Sequence, residues 1–310
     1  MERISQFTEK DYIEHKKRVF SVGWNSDGTA LASASADTSI VVWGLGSAGL
    51  RKTAEFCDHT DKVDQVAWSP LDPWLLASAS SDKTARIWDL RTRAPVICER
   101  AAKDVISLAW SPTESLLAYG SIDNSLTVYD QRAGTNRHQL TFKKDLHAFT
   151  WDNSGSVFFV TTGSGEVQTF AGSLDSPEPE YVLKAHTSSC HNIAMDPAYP
   201  RFATGGSDSI VLLWDLYELT PCNHYLGLDW EIRQISFSFD GMLLATASED
   251  TFVDIIATET CDRCHKINTV APQFSVAWHP KTYLLAYSGE DRSRVGDMGN
   301  IRLFGDFAGS

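Results

Sequence analysis

Long apolar runs are absent from the sequence: the longest ones are strand-sized, far below the roughly 20 residues that a transmembrane helix needs. Residues 1–18 contain no apolar stretch typical of a secretory signal, so we expect no export. Basic residues are also scarce, since 27 Lys and Arg face 40 Asp and Glu and give a formal charge of −13. A broad phosphate-binding surface needs clustered cations, and this balance argues against direct RNA or DNA binding.

Cysteine is sparse as well, and its six positions do not recur at matching places in the repeats of this chain. Without a secretory signal, we interpret the cysteines as reduced thiols of a nuclear or cytosolic protein. Cys261, Cys264 and His265 have the spacing of a haem attachment site and could form half of a zinc site. The sequence offers no second close cysteine pair. We therefore expect a polar turn here and predict no cofactor and no metal.

Tryptophan, by contrast, is plentiful, with ten residues that mostly fall at repeating positions. Seven bulky residues, here called anchors, each end a strand-like alternation of apolar and polar residues. The anchors are Trp24, Trp68, Trp110, Trp151, Met195, Phe237 and Trp278. Their spacings are 44, 42, 41, 44, 42 and 41 residues. A period of roughly 40–45 residues with four strands per unit is typical of a WD-repeat propeller blade.

The sequence thus resembles the WD40-repeat β-propeller family. This predicts an all-β fold, a single seven-bladed WD40 β-propeller that occupies residues 1–310 as one domain, with the first repeat starting at about residue 15. The last copy lacks a sequence for its outer strand, whereas residues 4–12 precede the first copy and are unassigned. We therefore predict that residues 4–12 pair with residues 301–304 and close the last blade, which removes two open sheet edges.

Three copies share a set of polar residues at fixed offsets. A His precedes the anchor by nine residues, an Asp precedes a later Trp by six, and a Ser or Thr precedes that Asp by four. The sets are His15, Ser33, Asp37 and Trp43; His59, Ser78, Asp82 and Trp88; and His186, Thr204, Asp208 and Trp214. They resemble the buried structural tetrad of WD repeats. A buried polar group without a partner costs about 1–3 kcal/mol, so we expect the tetrad to be nearly whole or to be lost as a unit.

A His, a hydroxyl and an Asp in one repeat could also be interpreted as a catalytic triad. However, the same set occurs three times at identical offsets, whereas a nucleophile site needs one exposed, strained serine beside an oxyanion hole. We therefore predict no catalytic residue.

The candidate partner-binding residues lie in loops on the faces of the ring, where a rigid scaffold carries function. The position six residues before each anchor should lie on one face and is basic in the first two blades and mostly acidic later. Trp230 lies beside such a position without an obvious core role, and the last copy has a long polar loop bounded by Gly289 and Gly299. The candidates are Arg18, Lys62, Trp230, Arg233, Arg292 and Arg294.

Several stretches resemble a narrower family, the propeller subunits of the THO complex. They include VDQVAW at 63–68, FATGGSD at 202–208, LDWEIR at 228–233, FSFDG at 237–241 and VAWHP at 276–280. The resemblance implies a non-catalytic nuclear scaffold of the THO/TREX assembly, which couples transcription and mRNA processing to mRNA export. It also implies that the partners are other THO subunits, especially the large helical subunit 2. RNA would be reached only through the complex, and neither a membrane nor a small-molecule substrate is implied.

A second interpretation stays open. Residues 87–91, with Trp88, Asp89 and Arg91, resemble the WDxR motif of propellers that serve as substrate receptors of cullin-type ubiquitin ligases. The corresponding site in copy five carries Tyr217 instead of Arg.

Overall fold

A computed structural model describes residues 7–174, 176–290 and 299–306 of the chain. Within these ranges the protein consists of 28 strands arranged in seven four-stranded antiparallel sheets. Each sheet is one blade of a β-propeller, so the predicted all-β, seven-bladed fold is confirmed. The described part of the chain contains no helix that could cross a membrane.

The innermost strands of the seven blades lie side by side around a ring, and the last of them contacts the first. They are β2 (Val19–Trp24), β6 (Val63–Trp68), β10 (Val105–Trp110), β14 (Leu146–Trp151), β18 (Cys190–Met195), β22 (Ile232–Phe237) and β26 (Gln273–Trp278). Each of these strands ends at one of the predicted anchors. The repeat period therefore gives the strand boundary correctly in every blade.

Two further strands follow in each blade. The second strands are β3 (Ala30–Ser35), β7 (Leu75–Ser80), β11 (Leu116–Ser121), β15 (Val157–Thr162), β19 (Arg201–Gly206), β23 (Leu243–Ser248) and β27 (Leu284–Glu290). The third strands are β4 (Ile40–Gly46), β8 (Thr84–Asp89), β12 (Ser125–Asp130), β16 (Glu166–Ala171), β20 (Val211–Asp215), β24 (Phe252–Ala257) and β28 (Gly299–Gly305).

The outer strands are β5 (Gly49–Phe56), β9 (Ala94–Arg100), β13 (Thr135–Thr141), β17 (Tyr181–Lys184), β21 (Pro221–Tyr225), β25 (Arg263–Asn268) and β1 (Thr8–Tyr12). Blades 1 to 6 therefore each follow the chain order, whereas blade 7 takes its outer strand from the beginning of the sequence.

The predicted closure of the ring is confirmed. Strand β1 pairs with β28 in an antiparallel register that places Tyr12 opposite Ile301 and Glu9 opposite Phe304. The described strand begins at Thr8 rather than at residue 4, and residues 1–6 lie outside the described range. The Tyr12 hydroxyl also accepts the backbone N–H of Leu50 at 3.0 Å, which links the closing strand to blade 1.

The hydrophobic core lies between neighbouring blades. One cluster combines Leu75 and Ile87 of blade 2 with Val105 and Trp110 of blade 3, all of them buried. Three of the five anchor tryptophans reinforce this packing, because their indole N–H groups bond carbonyls of the preceding blade: Trp24 to Ala277 at 3.2 Å, Trp68 to Gly23 at 2.8 Å and Trp110 to Ala67 at 3.0 Å. The blades thus stabilise one another, and none is independent of its neighbours.

Two local predictions need correction. The turn between β24 and β25 covers residues 258–262, so Cys261 lies in it, whereas Cys264 and His265 belong to outer strand β25. The His265 ring stacks on Phe304 of blade 7 with centroids 5.0 Å apart, which gives it a packing role. In the last copy, β27 extends one residue past Gly289 and β28 begins at Gly299, and the rest of the predicted loop, residues 291–298, lies outside the described residues.

Candidate protein-interaction site

The polar tetrad of blade 2 is buried and fully connected. His59 Nδ1 lies 2.7 Å from Asp82 Oδ2, and its Nε2 lies 2.7 Å from the Ser78 hydroxyl. The Trp88 indole N–H donates to that same hydroxyl at 2.8 Å. The Asp82 carboxylate also accepts the backbone N–H of Thr60, so the tetrad ties the third strand to the loop that leads into the blade.

Blades 1 and 5 bring their predicted residues together in the same way. In blade 1 the distances are 3.2 Å for His15–Asp37, 2.8 Å for His15–Ser33 and 3.0 Å for Trp43–Ser33. In blade 5 they are 2.9 Å for His186–Asp208, 2.9 Å for His186–Thr204 and 3.0 Å for Trp214–Thr204. All three hydroxyls are buried and held by an imidazole and an indole, so none is placed as an accessible nucleophile.

The burial of the tetrads affects the pKa values of their histidine and aspartate side chains. Burial lowers the pKa of His59 and of His186, because the charged imidazolium would lose its water, although the adjacent carboxylates oppose that shift. Burial alone would raise the pKa of Asp82, but hydrogen bonds from Thr84 and His59 outweigh it and hold that pKa below its usual value. The imidazoles of His59 and His186 are therefore neutral near pH 7, donating from Nδ1 to the carboxylate and accepting the hydroxyl proton at Nε2.

Blades 4 and 6 replace the tetrad in two different ways. Blade 4 keeps a hydroxyl only at the Asp position, where Ser164 stands, and its other three positions are apolar: Phe142 packs edge-on against Phe170 with ring centroids 5.7 Å apart. Blade 6 is mixed: Leu228 and Ile256 replace the His and the Trp, but Thr246 and Asp250 remain. Among the described residues, the buried Thr246 hydroxyl has no hydrogen-bond partner. The expectation that the tetrad is lost as a unit is therefore wrong for blade 6, because Asp250 has acquired another role.

This orphaned hydroxyl gives a stability prediction. We expect Thr246→Val to raise the free energy of unfolding by about 1 kcal/mol, since it removes a buried polar group that lacks a partner and keeps the side-chain shape. Thr204→Val is the matched control in blade 5, where the hydroxyl bonds both His186 and Trp214; it should lower stability by about 2 kcal/mol. Urea unfolding followed by tryptophan fluorescence measures both. Destabilisation of similar size in the two variants would contradict the assignment.

The described candidates, Arg18, Lys62, Trp230 and Arg233, lie on the face of the ring where the innermost strands begin, here called the upper face. A cavity of about 160 Å³ lies at its centre, lined by residues that include Phe20, His147, His191, Arg233 and Phe274. The two histidine rings meet edge-on with centroids 4.8 Å apart, and burial lowers the pKa of both. The described residues contain no group of three or more His, Cys, Asp or Glu side chains arranged to hold a metal ion.

The two basic candidates of the early blades are already engaged. Arg18 forms an ion pair with Glu290 at 2.9 Å, and Lys62 forms one with Asp64 at 2.7 Å. Both side chains remain partly exposed, but a partner would have to compete with these pairs. Arg292 and Arg294 lie outside the described residues.

Trp230 is presented on the surface. Its side chain is 60% exposed, and it does not pack between blades 5 and 6. The surrounding segment, residues 226–231, connects these two blades and is here called the Trp230 loop. Asp250 holds it from blade 6, because one carboxylate oxygen accepts the backbone N–H groups of Asp229 and Trp230 at 3.3 and 3.2 Å. The remnant of the tetrad in blade 6 thus fixes the candidate binding loop.

The other end of the Trp230 loop is fixed by a polar cluster around the buried Asp254 carboxylate, which the sequence did not reveal. Arg263 Nη2 donates to the Gly227 carbonyl at 2.8 Å and to the buried Asp254 carboxylate at 2.7 Å. Tyr225 donates its hydroxyl proton to the same carboxylate oxygen at 2.6 Å. Burial raises the pKa of Asp254, opposed by these bonds. Gly227 has no room for a side chain, since a β-carbon there would lie 2.0 Å from the Tyr225 hydroxyl.

Arg233 acts within the molecule rather than as a free anchor. Its guanidinium group bonds Glu249, in the turn that follows β23, and lies 3.3 Å from Glu231. It therefore joins the Trp230 loop to its own blade. Arg91 of the WDxR motif is likewise engaged in ion pairs within the molecule, with Asp89 at 2.7 Å and with Asp72 at 3.1 Å.

Seven blades and three buried His–Ser/Thr–Asp–Trp tetrads define a WD40-repeat β-propeller protein. Sequence comparisons agree: the model of the WD domain, G-beta repeat, matches residues 7–44, 50–89, 177–215 and 221–255, and that of the anaphase-promoting complex subunit 4 WD40 domain matches residues 85–154. THO complex subunit 3 of Arabidopsis thaliana is 38% identical over 300 residues, which cover 96% of this chain and 95% of the relative. The chain therefore belongs to the family of THO complex subunit 3.

Two further relatives are more distant. The WD repeat-containing protein AAC3 of Dictyostelium discoideum is 28% identical over 97% of this chain and 68% of its own length. The poly(A)+ RNA export protein of Schizosaccharomyces pombe is 24% identical over 80% of this chain and 73% of its own length.

Proposed function

We propose that this protein is a non-catalytic scaffold subunit of a nuclear THO complex that acts in mRNA export. The observation that carries the proposal is the match to THO complex subunit 3, which extends over nearly the whole of both chains. The similarity to a poly(A)+ RNA export protein points to the same process. The partners are other THO subunits, including the large helical subunit 2.

The site geometry supports a binding role rather than a catalytic one. The three sets that combine His, hydroxyl and Asp are buried, and their hydroxyls also accept an indole N–H, which leaves no free nucleophile in them. In contrast, the upper face presents a rigid loop with an exposed tryptophan, a residue type that often anchors protein interfaces. With a net charge of −13, the chain contacts RNA only through its partners.

Affinity purification from nuclear extract after nuclease treatment tests this function. We expect the tagged protein to recover the other THO subunits in comparable amounts, without dependence on RNA. Arg91→Ala should leave this recovery unchanged. Recovery of a cullin and its adaptor instead, lost in the Arg91→Ala variant, would replace the export function with that of a ubiquitin-ligase receptor.

A further inference from the structure

We propose that the Trp230 loop docks a basic, amphipathic segment of a partner protein. An apolar side chain of that segment packs on Leu226 and Trp230, and a lysine or arginine next to it faces Asp229 and Glu231. The inference rests on the proposed function and specifies the chemistry of the partner at this surface.

The first support is the concentration of exposed apolar area on one short loop. Leu226 is 64% exposed and Trp230 is 60% exposed, although the two side chains are only four residues apart in sequence. Single exposed apolar residues are normal on protein surfaces. A tryptophan and a leucine in the same connection, with Asp229 and Glu231 on either side of the tryptophan, form instead the kind of anchor on which interfaces are centred.

The second support is that this loop is fixed before any partner arrives. Arg263 holds the Gly227 carbonyl, Asp250 holds the N–H groups of the following turn, and Leu228 is buried in the core beneath. Binding then costs little ordering entropy, which is the main loss when flexible loops form interfaces. Arg263 and Asp250 belong to blade 6, and Leu228 packs in the core between blades 5 and 6, so the loop moves with the rigid ring.

The third support is the charge around the apolar pair. Asp229, Glu231 and Glu249 contribute three carboxylates. The two cations that contact this loop are both paired, because Arg233 is shared between Glu231 and Glu249 and Arg263 is bound to the buried Asp254 carboxylate. His191 lies 3.4 Å from Glu231, but burial lowers the pKa of His191, so this imidazole adds no charge near neutral pH. The surface is therefore negative and is complementary to a cationic segment. The same charge repels the phosphates of a nucleic acid.

The molecule provides matched controls. Trp74 is also an exposed tryptophan, 51% accessible, but it lies at the end of the loop after β6, on the opposite face of the ring. Asp58 is an exposed acid in the loop that precedes blade 2, on the upper face but remote from blade 6. If substitutions in the Trp230 loop weaken binding and those at Trp74 and Asp58 do not, the effect belongs to this surface and not to exposed aromatic area or to charge in general.

The first experiment measures the affinity of the purified protein for the THO subunits purified from cells depleted of this chain. Trp230→Ala should weaken binding on the order of 30-fold, the effect of a loss of about 2 kcal/mol at an interface anchor. Asp229→Lys should weaken it about tenfold and reduce its dependence on salt. Trp74→Ala and Asp58→Lys should change it less than about twofold. Equal affinity of the Trp230→Ala and unchanged proteins would overturn the proposal.

A second measurement separates this inference from the THO assignment. The probes are two synthetic amphipathic peptides of about 15 residues, long enough for a helix, one of Leu and Lys and the other of Leu and Glu. The Leu/Lys peptide should bind, and Trp230→Ala and Asp229→Lys should each abolish the binding while Trp74→Ala does not. Equal binding of the Leu/Glu peptide, or Leu/Lys binding that survives Trp230→Ala, would overturn the docking proposal. Absence of THO subunits from the purification would overturn only the proposed function.

Discussion

The variant His59→Leu is expected to lower the free energy of unfolding by about 2–3 kcal/mol, because it removes a buried hydrogen bond to a carboxylate and leaves the Ser78 hydroxyl proton without an acceptor. Leucine fills nearly the same volume, so the loss measures hydrogen bonding rather than a cavity. Asp82 would keep the N–H of Thr60 and both donors of Thr84, which prevents a larger loss. Equilibrium urea unfolding at pH 7 gives the value.

Blade 6 shows how the same replacement is accommodated. Leucine stands at the histidine position there, and Asp250 remains satisfied by two backbone N–H groups and by Ser248. The replacement instead leaves the buried Thr246 hydroxyl without a hydrogen-bond partner, which costs free energy. A matched control for the blade 2 experiment is His224→Leu on outer strand β21, where the imidazole is exposed. If both variants lowered stability equally, the tetrad of blade 2 would not be a stabilising network.

The sequence reveals the scaffold of this protein better than its surface. The strand boundaries repeat because each anchor closes a period-two alternation against a neighbouring blade, and this pattern is local. The closing strand was also predictable, since one blade lacked a strand and one segment was unassigned. Both features follow from the spacing of residues along the chain and from the number of strand-like segments, which can be read from a single sequence.

The partners of surface charges could not be predicted in this way. Arg18 pairs with Glu290, which is at the other end of the chain, and Arg263 reaches the Gly227 carbonyl from the next outer strand. Such contacts form between blades, where no local spacing indicates them. Arg233 was predicted as a partner anchor but is tied to Glu249 in another turn of its own blade, a contact that the sequence pattern does not indicate either. Trp230 alone among the described candidates combines exposure with the absence of a packing role.

Removing residues 1–12 is expected to have the largest effect on stability, a loss of about 5 kcal/mol. Strand β1 pairs with β28 over five residue pairs, and backbone hydrogen bonds contribute about 1 kcal/mol each. The deletion also removes Glu9, which accepts the proton of the buried Tyr287 hydroxyl, and Asp11, whose carboxylate lies 3.0 Å from Arg302 Nε. Blade 7 would be left with β28 as an open edge, and an open edge pairs readily with other chains.

Urea unfolding and size-exclusion chromatography would measure the two consequences of this deletion, lower stability and self-association. Deletion of residues 1–3, which precede the predicted closing segment, is the control and should leave both properties nearly unchanged. A synthetic peptide of residues 4–16 should restore the stability of the longer deletion when added in excess, because it supplies the missing strand and stabilises the ring by mass action. A monomeric deletion protein within about 1 kcal/mol of full stability would show that the ring does not depend on this closure, and that packing between the blades suffices to hold it shut.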